Sequence, residues 1–154
     1  MILIGIDTGV HTGVAVYDTL AGHFVDIKTL GAVEAMQYVA TMKEKLAGTV
    51  RLGVVFEDAR LRRWFGSKGR EALQGAGSIK RDGSLWQDFL RLQAIDYVAL
   101  PPAAGRTKWS AAYFKVITGY DRQTSEHARD AAVLVYNRSE QWFDIMRETS
   151  TRRS

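Results

Sequence analysis

Four side chains of this sequence could do chemistry together: Asp7, Glu57, His127 and Asp130. Asp7 ends the apolar run Met1-Ile-Leu-Ile-Gly-Ile6, and Glu57, followed by Asp58, ends a second run, Leu52-Gly-Val-Val-Phe56. Runs of this kind read as buried strands, parallel or central, which would deliver both acids to one region of a sheet. Carboxylates gathered without a counter-charge raise one another's pKa, whereas a divalent magnesium ion accepts hard oxygen ligands. An acid cluster around such an ion is suited to phosphodiester hydrolysis. His127 and Asp130 stand three apart in a helical stretch and would share one face.

Each feature also has a plainer reading. Asp7 could cap a turn, and its Asp-x-Gly-x-x-x-Gly setting also occurs in the phosphate loop of actin-like ATPases and sugar kinases. That architecture needs two related domains, which 154 residues do not supply. Strand alternation puts Glu57 with Gly53 and Val55, and Leu52, Val54 and Phe56 on the other face, so Glu57 and Asp58 point oppositely. An isolated His127/Asp130 pair is as easily a surface pairing. His11 and His23 have no partners in sequence and read as solvated turn residues.

These residues need a scaffold, and the chain is long enough to build one. Its length and 46% hydrophobic content fit one domain over residues 1–154 with an ordinary core. The absence of cysteine excludes disulfides and thiolate zinc sites and suits a reducing cytoplasm. The opening apolar run is too short for a signal segment and has no basic flank, and nothing approaches the roughly 20 apolar residues that span a bilayer. The expectation is a soluble cytoplasmic protein with no membrane partner.

Net charge is +4, from 21 basic against 17 acidic residues, and the excess is concentrated. Arg60, Arg62, Arg63, Lys68 and Arg70 fall within 59–70 without an acid, Trp64 and Phe65 lie among them, and Lys80 and Arg81 follow. The run could be an ordinary solvated loop. Aromatics among arginines also suit stacking on unpaired bases beside phosphate contacts, which makes these nine residues candidates for DNA binding. Arg147, Arg152 and Arg153 form a weaker patch in a tail expected to fray over about 149–154.

Turn-forming residues after Asp7 and at 18–22 separate three strands read as consecutive and antiparallel, the second at Val14–Tyr17 and the third at Phe24–Leu30. Val33, Met36, Val39, Met42 and Leu46 recur at helical spacing up to Gly48. A fourth strand runs over about Val50–Glu57. Residues 70–93 read as a helix with a break or a close packing site around Gly75, Gly77 and Gly83. Asp96–Leu100 is a short strand stopped by Pro101-Pro102. A short helix at Trp109–Ile117 ends at Gly119, and a final helix runs from Thr124-Ser125 towards Trp142. The order βββαβαβα describes an α/β protein with a five-stranded mixed sheet flanked by helices.

Ile4-Gly-Ile-Asp-Thr-Gly9 with Gly13, Phe56-Glu-Asp58 and Glu126-His-Ala-Arg-Asp-Ala131 together resemble the RuvC-like Holliday junction resolvases, particularly their phage-type branch. The resemblance implies an RNase H-like nuclease fold, a homodimer, and magnesium-dependent symmetric nicking of four-way junctions and branched DNA in a bacterial or phage-infected cell. It places Asp7, Glu57, His127 and Asp130 as ligands of two Mg2+ ions, with Mn2+ as a substitute, and Asp58 as a loop residue or one behind the ligands. The family's catalytic lysine corresponds to Lys108 or Lys115, of which Lys108, just past the fifth strand, is favoured. Trp64 or Phe65 would be a wedge at the crossover, and Leu85–Leu92 a candidate dimer face. Thr8 stands where these resolvases often have proline, at a cost in turn rigidity. Ribonuclease H-type cleavage of RNA–DNA hybrids and branched-DNA binding without cutting are the rival readings.

Overall fold

A computed structural model describes residues 1–62, 70–102 and 108–151. Five strands form one sheet: β1 (Ile2–Asp7), β2 (His11–Asp18), β3 (His23–Gly31), β4 (Leu52–Glu57) and β5 (Asp96–Leu100), in the order β3-β2-β1-β4-β5. The first three are antiparallel, and β1, β4 and β5 run parallel. The mixed α/β sheet of the sequence reading is therefore present. Because β1 and β4 are parallel and Ile6 pairs with Phe56, Asp7 and Glu57 leave the sheet at the same edge.

Alternation divides the strand side chains between two cores. Ile2, Ile4, Ile6, Val54 and Phe56 face α1 (Ala32–Leu46) and α2 (Arg70–Leu92), where Val39, Trp86 and Leu90 are buried. Leu3, Ala15, Tyr17 and Val55 face the opposite layer, made of α3 (Ala111–Thr118), α4 (Glu126–Val135) and α5 (Ser139–Thr151). Asp7, His11, Gly13 and Glu57 continue the alternation on this second face.

α4 lies unusually close to the sheet, and two glycines let it. A Cβ on Gly5 would come 2.0 Å from the Ala131 carbonyl oxygen, and one on Gly13 would come 1.9 Å from that of His127. Gly13 pairs with Asp7 across the β1–β2 ladder, so the helix turn bearing His127 sits directly beside Asp7.

Several boundaries differ from the sequence reading. Of the two alternatives for the glycines of α2, the helix is unbroken and Gly83 is the close packing site, where a Cβ would lie 2.4 Å from Asp58 Oδ1. Val33 is 69% exposed, and Ala35 takes its place in the core. α3 begins at Ala111 because the Ser110 side chain caps it, accepting from the Tyr113 N–H. The single long last helix is two helices: Asn137 adopts φ 52°, a left-handed conformation that asparagine tolerates better than most residues, and the chain turns back. Trp142 Nε1 then donates to the Leu134 carbonyl at 2.8 Å, and Met146 packs where a Cβ on Gly53 would otherwise stand. Among the described residues no helix is long and apolar enough to cross a membrane.

Candidate active site

Asp7 and His127 meet at the edge where β1 and β4 end. His127 Nδ1 lies 2.9 Å from Asp7 Oδ2, with the His127 side chain half exposed and that of Asp7 only 21% exposed. The helix that brings His127 here is fixed at its start. Ser125 caps α4, its hydroxyl accepting from the Ala128 N–H at 3.1 Å, and also bonds the Thr29 hydroxyl on β3. Burial pushes the Asp7 carboxyl above the usual carboxylate range and the nearby Asp130 charge adds to this, against a lowering hydrogen bond from His127.

Lys108 is ion-paired to Glu126 and lies 3.9 Å from Asp130 Oδ2. Its ammonium pKa is raised, chiefly by the Glu126 hydrogen bond, and that of Glu126 is lowered by the same contact. Arg129 secures the segment carrying Lys108, its Nε donating to the Trp109 carbonyl at 2.8 Å and its Nη1 to that of Thr124 at 2.8 Å. Lys115 sits exposed in the last turn of α3, so of the two candidate lysines it is Lys108 that reaches the acids.

Glu57 ends β4 partly buried, on the face shared with Gly53 and Val55, towards α4. Thr8 ties the two acid-bearing strand ends together: its hydroxyl donates to the Glu57 carbonyl at 3.1 Å. The residue that breaks the resolvase pattern thus supplies a cross-strand bond that proline could not make. Thr12, fully buried, closes the same turn by donating to the Gly9 carbonyl at 2.7 Å.

Asp58 points the other way, as alternation requires. It is 2% exposed and held by Arg60, whose Nε donates to both carboxylate oxygens at 2.9 and 3.0 Å. The Arg60 guanidinium also reaches Gln87 Oε1 at 3.1 Å. Burial alone would raise the Asp58 pKa, but the Arg60 bonds and charge outweigh it and hold the carboxyl below the usual range. Arg60, grouped in the sequence with the DNA-binding side chains, is here engaged in an anchor between the β4 end and α2, with one third of its side chain exposed. Arg62, Lys80 and Arg81 are exposed. Arg63, Trp64, Phe65 and Lys68 lie outside the described residues, as does the side chain of Arg70.

Two neighbours of the site were missed in the sequence. Glu126 was quoted only as part of a motif, yet it pairs with Lys108. His11, read as a solvated turn residue, is the exposed first residue of β2, and its ring centroid lies 6.3 Å from that of His127. The signal that could have found it was strand parity: His11 stands two residues before Gly13, on the face that α4 covers.

Among the described residues no three acids or histidines stand together as a preformed metal site. The groups are paired instead, Asp7 with His127 and Lys108 with Glu126 and Asp130. The donor chemistry nevertheless fits a hard divalent cation. Two carboxylates near enough for Asp130 to raise the pKa of Asp7 gain from added positive charge between them, and Glu57 leaves the adjacent strand at the same edge.

No family model matches this chain, and no curated protein matches it in sequence. Among solved structures, that of T. thermophilus RuvC in complex with Holliday junction substrate is similar, with a TM-score of 0.54 and 15% sequence identity. The match covers 90% of this chain and 93% of that one. At this identity the likeness shows the fold, which is RuvC-like within the RNase H-like class. It gives no support to the narrower phage-type branch.

Proposed function

We propose that this chain is a structure-specific endodeoxyribonuclease that resolves four-way DNA junctions by hydrolysing phosphodiester bonds in paired nicks. The observation that carries the reading is the seating of α4 on Gly5 and Gly13, which brings His127 to Asp7 and leaves Lys108 beside Asp130. The likeness in fold to a RuvC structure in complex with Holliday junction substrate supports the choice of substrate class. Asp7, Glu57, His127 and Asp130 would hold two Mg2+ ions, or Mn2+ in their place, which when bound activate water and stabilise the leaving 3′ oxygen.

The side chains have separable tasks. Asp7 and Glu57, fixed at the ends of hydrogen-bonded strands and linked through Thr8, give the acid edge a position that does not shift with the loops. His127 orients the Asp7 carboxylate. Lys108, with a 64% exposed side chain, stands where a phosphate would approach and offsets charge developing on it. Arg62, Lys80 and Arg81 provide exposed positive charge for the DNA backbone, and the basic segment between β4 and α2 carries the aromatic pair Trp64 and Phe65 for unpaired bases.

Two strands must be cut, so one site per chain calls for a two-fold homodimer. Leu85 and Leu92, 51% and 85% exposed on α2 beside the buried Trp86 and Leu90, offer an apolar edge for it. The deciding experiment presents equal amounts of a mobile four-way junction, a linear duplex and an RNA–DNA hybrid with Mg2+. The junction is nicked symmetrically. Faster loss of the hybrid makes the chain a ribonuclease H, and junction binding without nicking in Mg2+ or Mn2+ makes it a binding module.

A further inference from the structure

We propose that Glu126 is the positioning residue for Lys108: it holds the lysine ammonium beside Asp130 without letting it close onto that carboxylate, where a scissile phosphate arrives. The consequence for cleavage rests on the nuclease reading; the contact itself does not. Lys108 is ion-paired to Glu126 and stands 3.9 Å from Asp130 Oδ2. Glu126 and Asp130 are four apart on α4, so they share a face and Lys108 meets both. Glu126 is the nearer of the two, and its hydrogen bond is the main cause of the raised Lys108 pKa, ahead of the Asp130 and Asp7 charges.

Stability does not account for this pair. Its side chains are 64% and 54% exposed, and ion pairs so open to water contribute little to folding. Position does account for it. The backbone is already fixed on both sides: Ser125 caps α4 just before Glu126, and Arg129 donates to the Trp109 carbonyl just after Lys108 and to that of Thr124. What remains free is the four-carbon stem of the lysine, whose charge roams unless a partner holds it. Without Glu126 the acid left within 4 Å is Asp130, and an ammonium bound there would compete with a divalent cation for the same oxygens.

The test has two arms. In the first, the full chain without DNA is treated with a lysine-acetylating reagent, and Lys108 is followed by peptide mass spectrometry with the exposed Lys115 as internal standard. Only the neutral amine reacts, so Lys108 labels slowly in the wild type, and Glu126→Gln speeds its labelling several-fold while Lys115 is unchanged. In the second arm, nicking of a four-way junction is measured in Mg2+. Glu126→Gln lowers kcat about tenfold with KM unchanged, less than the 100-fold or more expected on removing a group that stabilises developing charge, because the lysine is displaced rather than lost. In a Lys108→Ala background the same substitution changes nothing further, since one residue acts through the other. Unchanged Lys108 labelling in Glu126→Gln, a wild-type kcat in that variant, or an undiminished loss in the Lys108→Ala background overturns the assignment. A wild-type chain that nicks no junction sinks the nuclease reading, and the labelling arm then still decides whether Glu126 holds Lys108.

Discussion

Gly13→Ala should damage both stability and the candidate site, and the structure sets the size of the effect. The added methyl carbon would stand 1.9 Å from the His127 carbonyl oxygen and 2.4 Å from its carbon, about 1.5 Å short of the 3.4 Å at which ordinary contact begins. Both obstructing atoms are backbone, so no rotamer change relieves them, and either β2 or the first turn of α4 must retreat. Overpacking of a well-packed core costs about 1–3 kcal/mol, and a backbone clash belongs at the upper end. At about 2–4 °C per kcal/mol for a protein of this size, Tm falls by about 6–12 °C. Displacement of about 1 Å at His127 also lengthens its contact with Asp7 and lowers junction nicking by about 100-fold. Gly9→Ala is the control from the same turn, since its nearest neighbour would be 3.7 Å away. The assay pairs thermal unfolding with single-turnover nicking of a four-way junction. Equal Tm values for the two variants would refute the claim that glycine at 13 exists to seat α4.

Asp7→Asn, Glu57→Gln and Asp130→Asn should each lower nicking by about 100-fold or more while gel-shift affinity for the junction holds, because charge at the site and charge on the binding surface are separate; near wild-type nicking by any one removes that residue from the site. Arg60→Ala strands the buried Asp58 charge and should destabilise by about 3 kcal/mol in denaturant melts, the low end for an orphaned buried ion because Arg60 is one-third exposed. The folded pKa of Asp58 lies below its unfolded value, so its stabilisation is present above about pH 4 and fades as pH falls further; the stability gap between wild type and Asp58→Asn should therefore shrink in acid, as pH-dependent melts would reveal. Neutralising Arg62, Lys80 and Arg81 together should reduce the slope of log binding constant against log salt by about 0.9 for each phosphate that no longer meets a basic side chain, and an unchanged slope would take these side chains off the DNA surface.

The sheet was legible in the sequence because its strands are bounded by strong local signals. An apolar run ending in an acid, a glycine-containing turn and a Pro-Pro stop each act over a few residues. Parity alone separated Glu57 from Asp58, and the structure uses that separation, turning Asp58 to Arg60 and α2. The choices that sequence could not make depend on contacts between distant residues. Around Gly83 the sequence allowed a break or a close packing site, and only the Asp58 carboxylate found beside it in an unbroken α2 selects the second. The last helix carries helical periodicity past Tyr136; only the fold-back that buries Trp142 and Met146 decides that Asn137 turns the chain. Arg60 and Arg62 are indistinguishable as letters in a basic run, and a buried acid at the strand end claims one of them. His11 shows the same limit at the site: its neighbour His127 lies 116 positions away in sequence, and the two rings meet because glycine at 5 and 13 lets a helix rest directly on the strands.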